Sequence, residues 1–200
     1  MPSLAAQKYE TLAGRVRHLQ IIASDKRIRP LSRSISGVYY HAALAAHVAA
    51  WEAYLEQLVR DFFGIISDPT FQKYQALHAI ATGRATEKLE KFNTPNFENS
   101  RELLLQFTGY DPYSDWVWPK RSMKVLQVQE RLKEILKVRH SFAHGFSIPQ
   151  YSWNTLPSGR CRLTRESLEM VDSFFNNLVN RTDRGMKQYI ATTYNVPVSW

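Results

Sequence analysis

The run Arg139-His140-Ser141-Phe142-Ala143-His144 places an arginine and two histidines within six residues. A guanidinium stays charged and can hold a phosphate oxygen, while a histidine moves protons near neutral pH. This pair suits phosphodiester cleavage in RNA, because the 2′-hydroxyl of RNA supplies the nucleophile and neither a metal nor a protein nucleophile is required. DNA has no such hydroxyl. The run therefore points to chemistry on RNA.

A helix is predicted from Pro119 to His144, with Gly145 as the left-handed residue beyond its end. At about 100° per residue, Arg139 falls at the centre of an apolar stripe on this helix. The other members within about 60° of it are Val125, Val128, Leu132, Ile135, Leu136, Phe142 and Ala143. We therefore expect a buried Arg139, whose charge needs a carboxylate, carbonyl groups or a bound anion.

The two histidines of the run are four residues apart, so His140 and His144 are predicted to lie side by side on one edge of the stripe. The helix dipole favours the protonated ring of His144 in the last turn. Both histidines could instead be half-exposed boundary residues. The pair could also bind a divalent metal, but no glutamate lies between them and no third ligand is evident. We expect neither a metal nor a cofactor.

Arg139 also has a purely structural interpretation, as the partner of Glu52 or Glu56 in a buried ion pair. Both glutamates lie on a long helix predicted from about residue 36 to 66, which Ser32 or Ser34 can cap. Glu52 and His41 border the apolar stripe of that helix, and with Ser141 they are the candidate supporting residues. The stripe consists of Leu44, Val48, Trp51, Leu55, Leu58 and Phe62.

The remaining pattern is also helical. Helices are predicted over about residues 4–23, 70–91 and 98–107, then one that begins after Thr164 and runs to about Arg181, and a last one from Asp183. Residues 146–163 form a loop or a short hairpin. The sequence therefore predicts an all-α, antiparallel helical bundle. We expect a single domain over residues 1–200, with its core at about 31–190 and an N-terminal basic helix and turn at 1–30.

The net charge of +8 indicates an anionic partner, although a solubility charge explains it equally well. The candidate nucleic-acid-binding residues are Lys26, Arg27, Arg29, Lys120, Arg121 and Lys124. Aromatic residues in the loop 109–119 could stack on bases or seal a core edge. No run of eighteen apolar residues and no signal peptide is evident, and Cys161 is the single cysteine. We expect a cytoplasmic protein that does not bind a membrane.

The run 139–144 resembles the signature of the HEPN superfamily, in which an arginine, a polar residue and three further positions precede a histidine. Gly145-Phe146 after it is also typical of that family. The segment from His41 to Phe62, with Trp51-Glu52, resembles the second helix of the branch called RiboL-PSP-HEPN, and residues 163–168 and 180–183 resemble its terminal region. The likeness covers about residues 31–190.

This resemblance implies a helical bundle that forms a homodimer, with two copies of the motif in a shared cleft. It also implies a metal-independent endoribonuclease of a toxin–antitoxin or antiviral defence system, with RNA and an antitoxin or another defence protein as partners. Arg139 and His144 would be catalytic, with His140 at the polar position, which is often asparagine. The alternative is an inactive HEPN module for dimerisation or for nucleotide or RNA binding, in which Arg139 is structural.

Overall fold

The computed structural model describes residues 1–24, 33–68, 70–198 and 200, apart from the side chains of residues 23, 24, 33 and 34. Its six α-helices are α1 (Leu4–Ser24), α2 (Arg33–Ile65), α3 (Gln72–Leu89), α4 (Phe97–Thr108), α5 (Val125–Ala143) and α6 (Arg165–Tyr194). Within those residues there is no strand, so the predicted all-α fold is confirmed. The predicted cap residue Ser32 and the basic residues Lys26, Arg27 and Arg29 lie outside the described part.

The long helix α2 is the centre of the bundle and packs against each of the other five helices. The apolar stripe predicted for this helix is confirmed, since all six of its members, from Leu44 to Phe62, are buried. Removing a side chain of this size from water stabilises the fold by about 1.5–3 kcal/mol. The hydrophobic stripe thus fixes both the helix and its position in the bundle.

The first helix belongs to the same core. Tyr9, Ala13 and Val16 of α1 are buried at helical spacing. The N-terminus of the helix is anchored to α6, because the backbone N–H of Ser3 donates to the Asp183 carboxylate at 3.1 Å. The Ser3 hydroxyl also bonds to Asp183 and accepts from the backbone N–H of Ala6. The side chains of α1 therefore contribute to the core.

The predicted helix from Pro119 is wrong at its start. Pro119–Arg121 form a short 3₁₀ turn, and α5 begins only at Val125. The turn is closed by two backbone hydrogen bonds between Trp118 and Met123, at 2.9 and 3.0 Å. These bonds reverse the chain and prevent a continuous helix through this segment.

The two helices predicted after Thr164 are one helix, α6. Thr164 caps it as predicted, because its hydroxyl accepts from the backbone N–H of Ser167 at 3.2 Å. Asp183 does not begin a new helix, since its carboxylate accepts from Ser3 instead. The segment after Gly145 is a loop, with a single isolated bridge between Thr155 and Cys161.

The aromatic loop 109–119 seals the core. Tyr110, Trp116 and Trp118 are all buried, and the indole N–H of Trp116 donates to the hydroxyl of Thr182 at 2.8 Å. Of the two interpretations of this loop, the structure supports core packing for these three rings, because buried rings present no free face to a base, whereas Tyr113 is exposed. None of the described helices is both long and apolar enough to cross a membrane.

Candidate active site at the end of α5

The candidate site is built on the C-terminal cap of α5. Gly145 has a φ of 70°, as predicted for the residue beyond the helix end. Its backbone N–H donates to the carbonyl of Phe142 at 3.2 Å, and the N–H of Phe146 donates to the carbonyl of Ser141 at 2.8 Å. These two bonds form a Schellman motif. The Schellman motif fixes the backbone of His144, which is the C-cap residue of α5.

Arg139 is exposed, so the prediction of a buried guanidinium is wrong for the single chain. In the last two turns of α5 the residues that face the core are Ile135, Val138 and Ser141, while Phe142 and Ala143 are exposed. The arc that contacts the core therefore turns away from Arg139 towards the end of the helix. Helical spacing predicts the angular position of each residue around the axis of α5, but the neighbouring helices determine which arc of α5 is buried.

The imidazoles of His140 and His144 lie together, as the four-residue spacing predicted. Their ring centroids are 4.2 Å apart, and the ring of Phe146 lies 5.9 Å from that of His144 and 6.1 Å from that of His140. All three side chains are exposed. No described residue donates to or accepts from either imidazole, so both rings are available to a ligand.

A stacked ring pair holds this end of α5 against α2. The ring of His41 lies parallel to that of Phe142, with centroids 4.0 Å apart and an interplanar angle of 1°. His41 is buried, and burial lowers its pKa to about 4. A neutral ring at physiological pH packs on phenylalanine without the cost of desolvating a charge. His41 therefore contacts the motif through the ring of Phe142.

The other two supporting candidates occupy different positions. The Ser141 hydroxyl donates to the carbonyl of Lys137 at 2.8 Å, so it is engaged within α5. Glu52 has a raised pKa because of burial and the charge of Glu56, which the charge of Arg139 opposes. Among the described residues no ion pair within 4.0 Å joins Arg139 to a carboxylate. The structural ion pair considered for Arg139 is therefore not formed, although Glu52 lies within the reach of its field.

The described basic candidates lie far from the motif. Lys120, Arg121 and Lys124 precede the N-terminus of α5, and the helix has 19 residues, so its two ends are about 28 Å apart. The structure does not bring these side chains together with His144. No group of three or more potential metal ligands exists among the described residues, at this site or elsewhere.

Sequence reasoning did not identify Phe146 or the stacking role of Phe142 as parts of the site. Their exposed fractions are 63% and 42%, high for phenylalanine. Val38, one helical turn before His41 on α2, is also exposed. The sequence could in part have indicated Phe146, because a Schellman motif commonly carries an apolar residue at its position. The motif is thus flanked by apolar surface that one copy of the chain leaves uncovered.

A comparison with protein families finds that the family model described as RiboL-PSP-HEPN matches residues 10–188. The match begins within α1 and ends within α6, so it includes the four helices between them, most of α1 and α6, and the whole of the motif. Comparisons with curated proteins and with solved structures find no match.

Proposed function

Since the chain belongs to the RiboL-PSP-HEPN family of the HEPN superfamily, we propose that it is a metal-independent endoribonuclease with a composite site formed by two subunits. Membership indicates an RNase or a nucleotide-binding module that interacts with RNA. One observation favours the RNase. The Arg139, His140 and His144 side chains are all exposed at the end of α5 and have no hydrogen-bond or ion-pair partner in the described chain.

The helix geometry supports the proposal of two subunits. Arg139 and His144 are five positions apart, which places them about 140° apart around α5. They therefore diverge, and a second copy of the motif is a direct way to surround one phosphate. The exposed rings of Phe142 and Phe146 beside the motif supply apolar surface for an isologous contact. A bound phosphate offsets the repulsion between the two Arg139 side chains.

In the proposed mechanism, His144 of one subunit removes the proton of the 2′-hydroxyl. The 2′-oxygen then attacks the adjacent phosphorus, and the bond from phosphorus to the 5′-oxygen breaks. The partner subunit's His144 gives a proton to the leaving 5′-oxygen. Arg139 stabilises the charge that develops on the phosphorane, and His140 hydrogen-bonds to a non-bridging oxygen. The products carry a 2′,3′-cyclic phosphate and a 5′-hydroxyl.

The proposed setting is a cytoplasmic toxin–antitoxin or antiviral defence system, in which an antitoxin or another defence protein restrains the nuclease. The second candidate is an inactive module for dimerisation or for nucleotide or RNA binding. Its support is His140, which occupies a position that is often asparagine in the family.

Incubation of the purified protein with RNA in EDTA tests the RNase. His144→Ala should lower the cleavage rate by about a hundred- to ten-thousand-fold, because it removes a positioned proton shuttle. His18→Ala is the matched control, since His18 is exposed on α1 and far from the motif in sequence. An RNA with 2′-deoxyribose at the scissile position should resist cleavage.

Three outcomes would contradict parts of the proposal. Cleavage of the deoxy substrate, or activity that EDTA abolishes and a divalent metal restores, would exclude the mechanism. A monomer by light scattering at tens of micromolar would exclude the composite site. A dimer that cleaves no RNA would favour the inactive module.

A further inference from the structure

A basic groove lies between the 3₁₀ turn and α6. Its cavity has a volume of about 470 Å³. The lining residues are Trp118, Lys120, Arg121, Ser173, Asn176, Asn177, Asn180, Arg181 and Arg184. Four of these are cations, four carry an amide or hydroxyl, and none is a carboxylate. We refer to this cavity as the α6 groove.

The polar side of the groove is one face of α6. Ser173, Asn177, Asn180 and Arg184 follow each other at intervals of three or four residues, which places them in one row along the helix. Phe174, Phe175, Leu178 and Met186 are buried on the core side of the same helix. The row of amides and guanidinium groups therefore faces outward, towards Lys120 and Arg121.

The cations of the groove are not neutralised by any carboxylate in the described part of the chain. Among the described residues, no carboxylate lies within 4.0 Å of Lys120, Arg121, Arg181 or Arg184, whereas Arg165 pairs with Glu169 at 2.7 Å. The carboxylate of Asp115, which lies near Gly185, accepts a hydrogen bond from the hydroxyl of Tyr110 at 2.6 Å. Four neighbouring positive charges without a counterion repel each other, and a bound anion relieves that repulsion.

The wall of the groove is held in place by contacts that leave its cationic groups without a hydrogen-bond acceptor among the described residues. The guanidinium of Arg121 lies over the ring of Trp118, 5.8 Å from its centroid. The amide of Asn177 donates to the carbonyl of Val117 at 2.8 Å, which ties α6 to the chain before the 3₁₀ turn. The amide of Asn176 donates to the carbonyl of Asp172 within α6. The groove is therefore preformed, and its guanidinium and ammonium groups remain free to contact phosphate.

A second cavity of about 470 Å³ shares Trp118 and Arg121 with the α6 groove. It adds Arg162 to the positive surface, together with one carboxylate, that of Glu166, while its other arginine, Arg131, is paired with Glu134 at 3.0 Å. Arg121 is thus the link between two adjoining basic cavities. Two adjoining cavities suit a chain of phosphates better than a single phosphate ion.

We infer that the α6 groove binds the backbone of single-stranded RNA, at a site separate from the catalytic motif. The inference rests on the proposed function and assigns a second contact to the same substrate. The 3₁₀ turn of the groove precedes the N-terminus of α5 and the motif lies at the other end of this helix, whose 19 residues span about 28 Å. At the spacing of about 3.4 Å per nucleotide along one strand of B-DNA, this length corresponds to about eight nucleotides. Substrates shorter than this should lose the contribution of the groove.

Binding of a labelled 2′-O-methyl RNA of about twelve nucleotides tests the inference, because that RNA lacks the attacking hydroxyl and is not cut. Fluorescence anisotropy over a range of salt concentrations gives the slope of log K against log salt. Arg181→Gln/Arg184→Gln should reduce the size of this slope by about 1.4, since each phosphate contact on a single strand contributes about 0.7. Affinity at physiological salt should fall about tenfold.

The matched control is Arg15→Gln/Arg84→Gln, which removes the same two charges from exposed positions on α1 and α3. It should leave the slope unchanged. Equal losses in both variants would overturn the groove in favour of non-specific attraction, as would an unchanged slope in the groove variant or a wild-type protein that does not bind the RNA. Adenosine monophosphate that binds as tightly as the oligomer would overturn a polymer site. Binding that depends on the groove, in a protein that cleaves no RNA, would support the groove and refute the nuclease.

Discussion

Gly145→Ala tests whether the cap of α5 sets the geometry of the motif. At its φ of 70° an alanine side chain costs about 1–2 kcal/mol relative to glycine. A Cβ at this position meets no atom within 4 Å, so backbone strain is the whole cost. In a domain of this length, that loss lowers Tm by roughly 2–8 °C.

Strain of this size is comparable to the two cap hydrogen bonds, each worth about 0.5–1.5 kcal/mol. The chain therefore relaxes partly by breaking the Schellman motif, which moves His144 and Phe146 relative to Arg139. A displacement of about 1 Å in a catalytic group can cost a hundredfold in rate, so we expect cleavage to fall by up to that factor.

Gly159→Ala is the matched control. Gly159 has a φ of 76°, and a Cβ there also meets nothing within 4 Å. Thermal unfolding should show a similar loss of stability in both variants, while only Gly145→Ala loses activity against RNA. Equal activity losses would mean that stability alone limits cleavage. An unchanged Tm in Gly145→Ala would refute the assigned cap.

Two further predictions concern the core. Gly185→Ala places a Cβ against the Tyr110 hydroxyl and the Asp115 carboxylate, which are hydrogen-bonded to each other. Chemical denaturation should therefore show that the free energy of unfolding falls by a net value of about 1–2 kcal/mol. In the control Gly83→Ala, which lies in open space on α3, the free energy of unfolding should rise by up to about 1 kcal/mol. Burial lowers the pKa of His41 to about 4, below the value of 6.5 for the unfolded chain, so unfolding takes up a proton between these pH values and stability falls as the pH is lowered through them. Between pH 7 and pH 5 the contribution of His41 lowers the free energy of unfolding by about 2 kcal/mol. His41→Phe should abolish this contribution in urea titrations at the two pH values. An equal pH dependence in the variant and the wild type would refute the assignment.

Local chemistry allowed much of this structure to be predicted. The stripe from Leu44 to Phe62 requires a helix whose one face is covered, whichever elements cover it. Thr164 and Gly145 mark helix ends because their caps involve residues within five positions of them. The motif itself is equally local, since His140 and His144 meet through the four-residue spacing of a single helix.

Properties that depend on distant partners could not be predicted in this way. The start predicted at Asp183 failed because its carboxylate bonds to Ser3, 180 positions away. The basic character of Lys120 and Arg121 was evident, but the groove needs Arg181 and Arg184 opposite them, about sixty residues later.

The sequence by itself determined that this chain is a bundle of amphipathic helices with an arginine and two histidines at the end of one of them, because spacing and capping act within a few residues. Only the tertiary structure decided that Arg139 is exposed, that Tyr110, Trp116 and Trp118 of the aromatic loop are buried and that the cations of α6 face the 3₁₀ turn. The physical reason is that a helical projection orders residues around an axis, whereas burial depends on which neighbouring helices cover each arc.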